Sequence, residues 1–196
     1  KAYAQLGHGG TFTEGTLGGN VTVSGGPATA PQATDPEEEP VVAFLFRGGE
    51  GQGAYAHLGH GGYVSSGQMS GNISVTGRPG AQPLPAEAPS GFNVGSLLSG
   101  DLSRFLEEAP PTMAFVGGGN LSAYAQLGHG GSSADGTLTG DIDVHAGGGL
   151  GILGGSGTLA YSQLGHGGNG AFDEVTAEGE ISVNVDPSRY VLQPNP

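Results

Sequence analysis

The sequence predicts an all-β parallel β-helix, a solenoid of about four coils with three short strands each, plus two Pro-rich inserts. Three observations predict it: a nine-residue motif recurs four times, a short β-branched run follows each copy, and the prolines avoid both. A fixed period of this kind marks a stacked repeat architecture, because each unit buries its apolar face only against its neighbours.

The motif is Ala2-Tyr3-Ala4-Gln5-Leu6-Gly7-His8-Gly9-Gly10. It returns at 54–62 with His57 in place of Gln, unchanged at 123–131, and at 160–168 with Ser162 in place of Ala. Strand alternation puts Ala2, Ala4 and Leu6 on one face and Tyr3 and Gln5 on the other. Small alanines suit a narrow interior, so Leu6, Leu58, Leu127 and Leu164 are expected inside. Tyr3, Tyr55, Tyr124 and Tyr161 are then expected as an outward column of stacked rings, with His57 on the same outward face. Gly-His-Gly-Gly reads as a corner, where glycine takes the positive φ of a sharp turn.

The second element is Asn20-Val21-Thr22-Val23, Asn72-Ile73-Ser74-Val75, Asp141-Ile142-Asp143-Val144 and Glu180-Ile181-Ser182-Val183. Each copy follows a glycine and alternates like a half-buried strand, with its Val and Ile side chains pointing in. A third apolar run precedes the next motif: Val42–Phe46, Met113–Val116 and Leu150–Leu153, each ending in a Gly-Gly pair. Arg189–Leu192 is expected as the fourth. Collagen is ruled out because glycine does not fall at every third position. A propeller blade requires four strands and 40–45 residues.

The motif histidines lie 52, 69 and 37 residues apart, which sets a basic unit of about 37 residues. The surplus lies in residues 27–40, with 4 prolines and Glu37-Glu38-Glu39, and residues 79–111, with 6 prolines. Proline donates no ladder hydrogen bond, so both stretches project from the solenoid. One domain spans 1–196: coil 1 is 1–53 with the insert 27–40, coil 2 is 54–122 with the insert 79–111, coil 3 is 123–159 and coil 4 is 160–196. Leu97-Leu98 and Leu102 through Glu108 are expected to form one short helix.

Composition narrows the function. The 196 residues contain no Cys and no Trp, and no apolar run is long enough to cross a bilayer as a helix. Disulfide scaffolds, thiol enzymes, iron–sulfur clusters and Cys-ligated zinc are thereby excluded. The net charge of −13 repels phosphate backbones and anionic lipid, so no nucleic-acid partner and no membrane insertion are expected. The chain opens on Lys1 without a signal peptide or starting Met, and is expected to be a processed form or an excised piece.

His8, His60, His129 and His166 are expected to stack at equivalent corners about 5 Å apart. Imidazole is a common metal ligand, but a metal site gathers different ligands at one point, whereas repetition places one residue type at every coil. No metal or other cofactor is therefore expected. Asp141 and Asp143 share an outward face as an acid/base pair would, yet the equivalent positions of the other coils build no carboxylate cluster. They read as solvated surface. No nucleophile elbow is present, and Gly117–Gly119 and Gly147–Gly149 lack the Lys-Ser/Thr of a phosphate loop. Glu37–Glu39 reads as a solubilising loop rather than a Ca²⁺ site. Asn20, Asn72 and Asn120 fit the N-glycosylation pattern but are also ordinary outward strand residues. No catalytic residue is assigned.

With Ala-Tyr-Ala-Gln-Leu-Gly-His-Gly-Gly followed by Gly-Asp-Ile-Asp-Val, the chain resembles repeats of large bacterial secreted proteins of the filamentous-haemagglutinin type. The resemblance covers the four repeat units and neither insert. It implies a right-handed parallel β-helix, display outside the cell, and work as an adhesin, fibre or biofilm component. The family's amino-terminal secretion domain has no counterpart here.

No capping helix is evident at either terminus, and an uncapped solenoid end pairs with other chains. The expected function is therefore structural and non-enzymatic: an extracellular subunit that stacks head-to-tail with itself into a cell-surface or matrix filament. One alternative is an adhesin stalk that binds a host or surface glycan or protein through its inserts. Another is a carbohydrate-active β-helix enzyme, which requires a carboxylate cluster that the repeats do not supply.

Overall fold

A computed structural model describes residues 2–25, 44–77, 113–147, 150–170 and 175–185. The short helix expected within 97–108, the strand at Arg189–Leu192 and the acidic run at 37–39 lie outside these residues. The described chain is all β, with no helix. Strands of like position in successive coils pair in parallel and in register, which is the architecture of a parallel β-helix.

The first sheet comes from the motif: β1 (Ala4–Leu6), β5 (Ala56–Leu58), β9 (Ala125–Leu127) and β13 (Ser162–Leu164), with Leu6, Leu58 and Leu127 in line. The second expected strand appears as β3 (Val21–Gly25), β7 (Ile73–Gly77), β11 (Ile142–Ala146) and β15 (Ile181–Val185). The third expected strand appears as β4 (Phe44–Arg47), β8 (Met113–Val116) and β12 (Leu150–Leu153). These three sheets enclose an apolar core of Leu58, Ile73, Val75, Met113, Phe115, Leu127, Ile142 and Val144, among others. One strand per motif and β-branched alternation therefore suffice to place the interior.

A further sheet lies between the first and second expected strands. It consists of β2 (Gly9–Gly18), β6 (Gly61–Ser70), β10 (Ala134–Thr139) and β14 (Val175–Glu178). Three of its strands carry an internal glycine, Gly15, Gly67 or Gly136, in register from coil to coil, and Val175 takes that place in the fourth. Glycine within a run normally weakens a strand and reads as a turn. Here in-register stacking on the strands of neighbouring coils supplies the missing stability, and Met69 and Leu138 are fully buried.

This extra sheet overturns one expectation. The Tyr column stacks as anticipated, with centroids 4.9, 4.8 and 4.9 Å apart, but it does not face solvent. Tyr55 is 2% exposed, Tyr124 is 0% exposed, and His57 is buried as well. The chain doubles back after the corner, so the last glycine of Gly-His-Gly-Gly lies over the phenol. A Cβ at Gly62 or Gly131 would stand 2.9 Å from the hydroxyl of Tyr55 or Tyr124. In coils 2 and 3 the first sheet is thus buried on both faces, apolar on one side and polar-aromatic on the other.

Candidate functional site

The corner histidines form the most regular feature of the molecule. Their rings stack at 5.1, 4.9 and 4.9 Å through His8, His60, His129 and His166. Each backbone N–H donates to the Nδ1 of the next coil's ring: His8 to His60 at 3.0 Å, His60 to His129 at 3.1 Å, and His129 to His166 at 3.0 Å. Accepting that bond leaves Nδ1 without a proton, so Nε2 carries one. Nε2–H then donates to the glycine carbonyl before the second strand of the previous coil. The pairs are His60 with Gly19 at 2.7 Å, His129 with Gly71 at 2.7 Å, and His166 with Gly140 at 2.8 Å.

Each of these three rings therefore staples two coils at two points in one tautomer. Both nitrogens are engaged, which leaves no lone pair for a metal ion at His60, His129 or His166. Among the described residues no group of three or more His, Asp or Glu side chains is placed to hold one. Burial lowers the His129 pKa to about 4, with the Gly71 bond opposing and the neighbouring His166, His60 and His57 reinforcing the shift.

A second ladder runs along the buried face of the first sheet. The Gln126 amide donates to the carbonyls of His129, Gly165 and Gly167, and Gln5 donates to those of His8 and Gly61. Gln163 donates to His166 at 2.9 Å. The glutamines thus add a second donor to corner carbonyls, of which those of His8, His129 and Gly167 already accept a backbone N–H from the neighbouring coil. Their Oε1 atoms accept from the tyrosine of the next coil, Tyr55 to Gln5 at 3.5 Å and Tyr161 to Gln126 at 3.2 Å. Burial raises the phenol pKa of Tyr55, Tyr124 and Tyr161.

In coil 2 the glutamine is replaced by His57, and the pattern breaks. His57 Nε2 donates to Gly128 at 2.7 Å, but its Nδ1 and the Tyr124 hydroxyl are buried without a hydrogen-bond partner. The Ser132 backbone lies near that hydroxyl and slightly opposes its raised pKa, without a bond of good geometry. Burial pushes the His57 pKa down to about 4, partly offset by the Gly128 carbonyl and reinforced by His60.

A third ladder was not anticipated. The residues before each second strand use their side-chain oxygens to cap the next coil: Asn20 Oδ1 accepts from Asn72 N–H at 2.9 Å. Asn72 Oδ1 accepts from Asp141 N–H at 3.0 Å, and Asp141 Oδ1 from Glu180 N–H at 2.9 Å. Asp141 therefore serves as a backbone cap. The signal in the sequence is the recurrence of an Asn or Asp directly after Gly at the same offset in three coils.

The sequence-assigned positions come together as columns rather than as a pocket. Leu58 and Leu127 are fully buried in the core, with Leu164 partly buried against it. Gly117–Gly119 turns the chain from β8 toward the next motif, where Gly118 N–H bonds the Ala123 carbonyl at 2.7 Å. The outer faces of coils 1 and 4 differ from the middle. Tyr3 and Leu6 are each 49% exposed, and Ile181 and Val183 remain 47% and 43% exposed. A shallow recess of about 400 Å³ on coil 4 is lined by Leu159, Tyr161, Ser162, Gln163, Gly168 and Asn169.

Compared with known proteins, the chain matches no family model, no curated protein and no solved structure.

Proposed function

We propose that this is a structural protein whose purpose is its own continued stacking. Subunits associate head-to-tail through the outer faces of coils 1 and 4 and build a β-solenoid filament. One observation carries the reading: the outer faces leave half-exposed residues of kinds that the inner coils bury, Tyr3 and Leu6 on coil 1 and Ile181 and Val183 on coil 4. These side chains lie beside outer strands that pair with no further strand among the described residues. Such edges template pairing unless they are covered. A heterologous contact of this kind does not close on itself and grows as a fibre.

The resemblance to secreted bacterial fibre and adhesin repeats supports placing the filament outside the cell, at the surface or in the matrix. The ladders support a load-bearing role rather than catalysis, since they occupy their polar groups with one another. The test is electron microscopy and sedimentation of purified chain across a concentration series. Filaments one solenoid wide, appearing above a threshold concentration, are expected. A species that remains monomeric at millimolar concentration overturns the reading.

A further inference from the structure

We propose that the joint between subunits repeats the coil-to-coil register found within the chain, with the His8 imidazole as its polar key. This rests on the filament reading above and adds the register and the bonds. The occupant of each open face is a second copy of this chain, argued from continuity. The same coil interface occurs three times within one molecule, and both halves of a fourth stand on the outer faces.

On the coil 1 side, His8 stacks on His60 and donates its N–H to it, but its own ring nitrogens make no hydrogen bond among the described residues. In every later coil those two nitrogens bond the preceding coil. On the coil 4 side the matching partners are the His166 N–H and the Gly179 carbonyl. Gly179 occupies the position of Gly19, Gly71 and Gly140, at the same point before the second strand. In the joint, His166 N–H donates to Nδ1 of the second copy's His8. The Nε2–H of that ring donates to the Gly179 carbonyl.

The remaining groups match in the same alignment. The Glu180 carboxylate takes the capping role of Asn20, Asn72 and Asp141, and accepts from Asn20 N–H of the second copy. Tyr3 of that copy stacks over Tyr161 and fills the recess lined by Tyr161, Gln163 and Gly168. Leu6 covers Leu164, Val21 covers Ile181, and Val23 covers Val183, so each apolar contact repeats one already made inside the chain. Other registers lose this agreement. A rotation by one sheet sets imidazoles against β-branched strands, and a head-to-head contact cannot give parallel pairing.

The chain has no cysteine, so introduced thiols report the register cleanly. Thr22 and Ser182 occupy the same position on the β3 to β15 sheet, two coils apart from direct contact within one chain. Across the proposed joint they become nearest neighbours, within disulfide range. Full-length Thr22→Cys and Ser182→Cys chains are mixed, assembled and mildly oxidised. A heterodimer cross-link is expected, whereas Thr16→Cys with Ser182→Cys, on different sheets, stays uncross-linked. His8→Ala is expected to raise the threshold concentration for assembly at least tenfold while lowering the melting temperature of the dispersed chain by no more than about 4 °C.

Filaments that form but cross-link through the Thr16 pair, or that ignore His8→Ala, overturn this register and leave the filament reading standing. Absence of any filament in the unmodified chain overturns both.

Discussion

Tyr124 and His57 meet in the interior with two polar atoms left unpaired, the phenol oxygen and Nδ1. Every equivalent tyrosine above a glutamine donates to it, as Tyr161 does to Gln126 at 3.2 Å. His57→Gln is therefore expected to stabilise the protein. It gives Tyr124 an acceptor, and the new amide reaches the corner carbonyls as Gln126 does. A gain of about 1 kcal/mol is expected for satisfying a buried hydroxyl, or roughly 2–4 °C in melting temperature. Differential scanning calorimetry of the two proteins decides it, and a lower melting temperature for the variant contradicts the assignment.

Acid weakens the fold through the same histidine. Burial holds His57 and His129 at about 4, below the ordinary value of 6.5. The unfolded chain then takes up protons first as the pH falls. Their contribution is complete above about pH 6.5, declines between 6.5 and 4, and is lost below 4. For the fully buried His57 the full span is about 3 kcal/mol. Denaturant unfolding at pH 7.5, 5.5 and 4.5 is expected to show falling stability, with a smaller fall in His57→Gln. Stability that rises toward pH 4.5, or an unchanged slope in the variant, contradicts this.

The histidine ladder predicts unequal effects from identical substitutions. His129→Ala removes the acceptor of His60 N–H, the donor to Gly71 and two ring stacks. Leaving buried backbone groups unpaired beside a cavity costs about 3 kcal/mol or more. His8→Ala removes one ring stack and no side-chain hydrogen bond among the described residues, and is expected to cost the dispersed chain less than about 1 kcal/mol. Equal losses at both positions contradict the two-point stapling.

Gly128 tests the close approach of coils. Its φ is +144°, and a Cβ there would collide with the Gly165 carbonyl of the next coil. Gly128→Ala combines backbone strain with overpacking and is expected to destabilise by about 2–4 kcal/mol. Chemical denaturation measures it, and a loss under about 0.5 kcal/mol contradicts the stacking geometry, since surface changes are of that size.

Much of this arrangement was legible in the sequence because repetition removes ambiguity. The motif, the Val/Ile runs and the third apolar run each became a sheet, and the histidine and tyrosine columns follow from equal offsets. The sheet begun by Gly9, Gly61 and their equivalents was not legible. Its strands carry glycine and small polar residues, and they are held by in-register pairing with the strands of neighbouring coils. Missing that sheet also turned the tyrosine column outward, since nothing in the motif shows that the chain folds back over Tyr55 and Tyr124. The Asn20–Asn72–Asp141 caps went unread for a related reason. A polar residue beside a strand looks like surface until its neighbour one coil on is in place.

The axial repeat of the assembled material tests the central claim most directly. Rings and strands stack at 4.8–5.1 Å per coil, so four coils advance about 20 Å. Electron cryomicroscopy of filaments is expected to show strands perpendicular to the axis, an axial reflection near 4.8 Å and a subunit rise of about 20 Å, the four-coil advance. Filaments with a subunit rise unrelated to that advance, or closed oligomers in place of filaments, would contradict it.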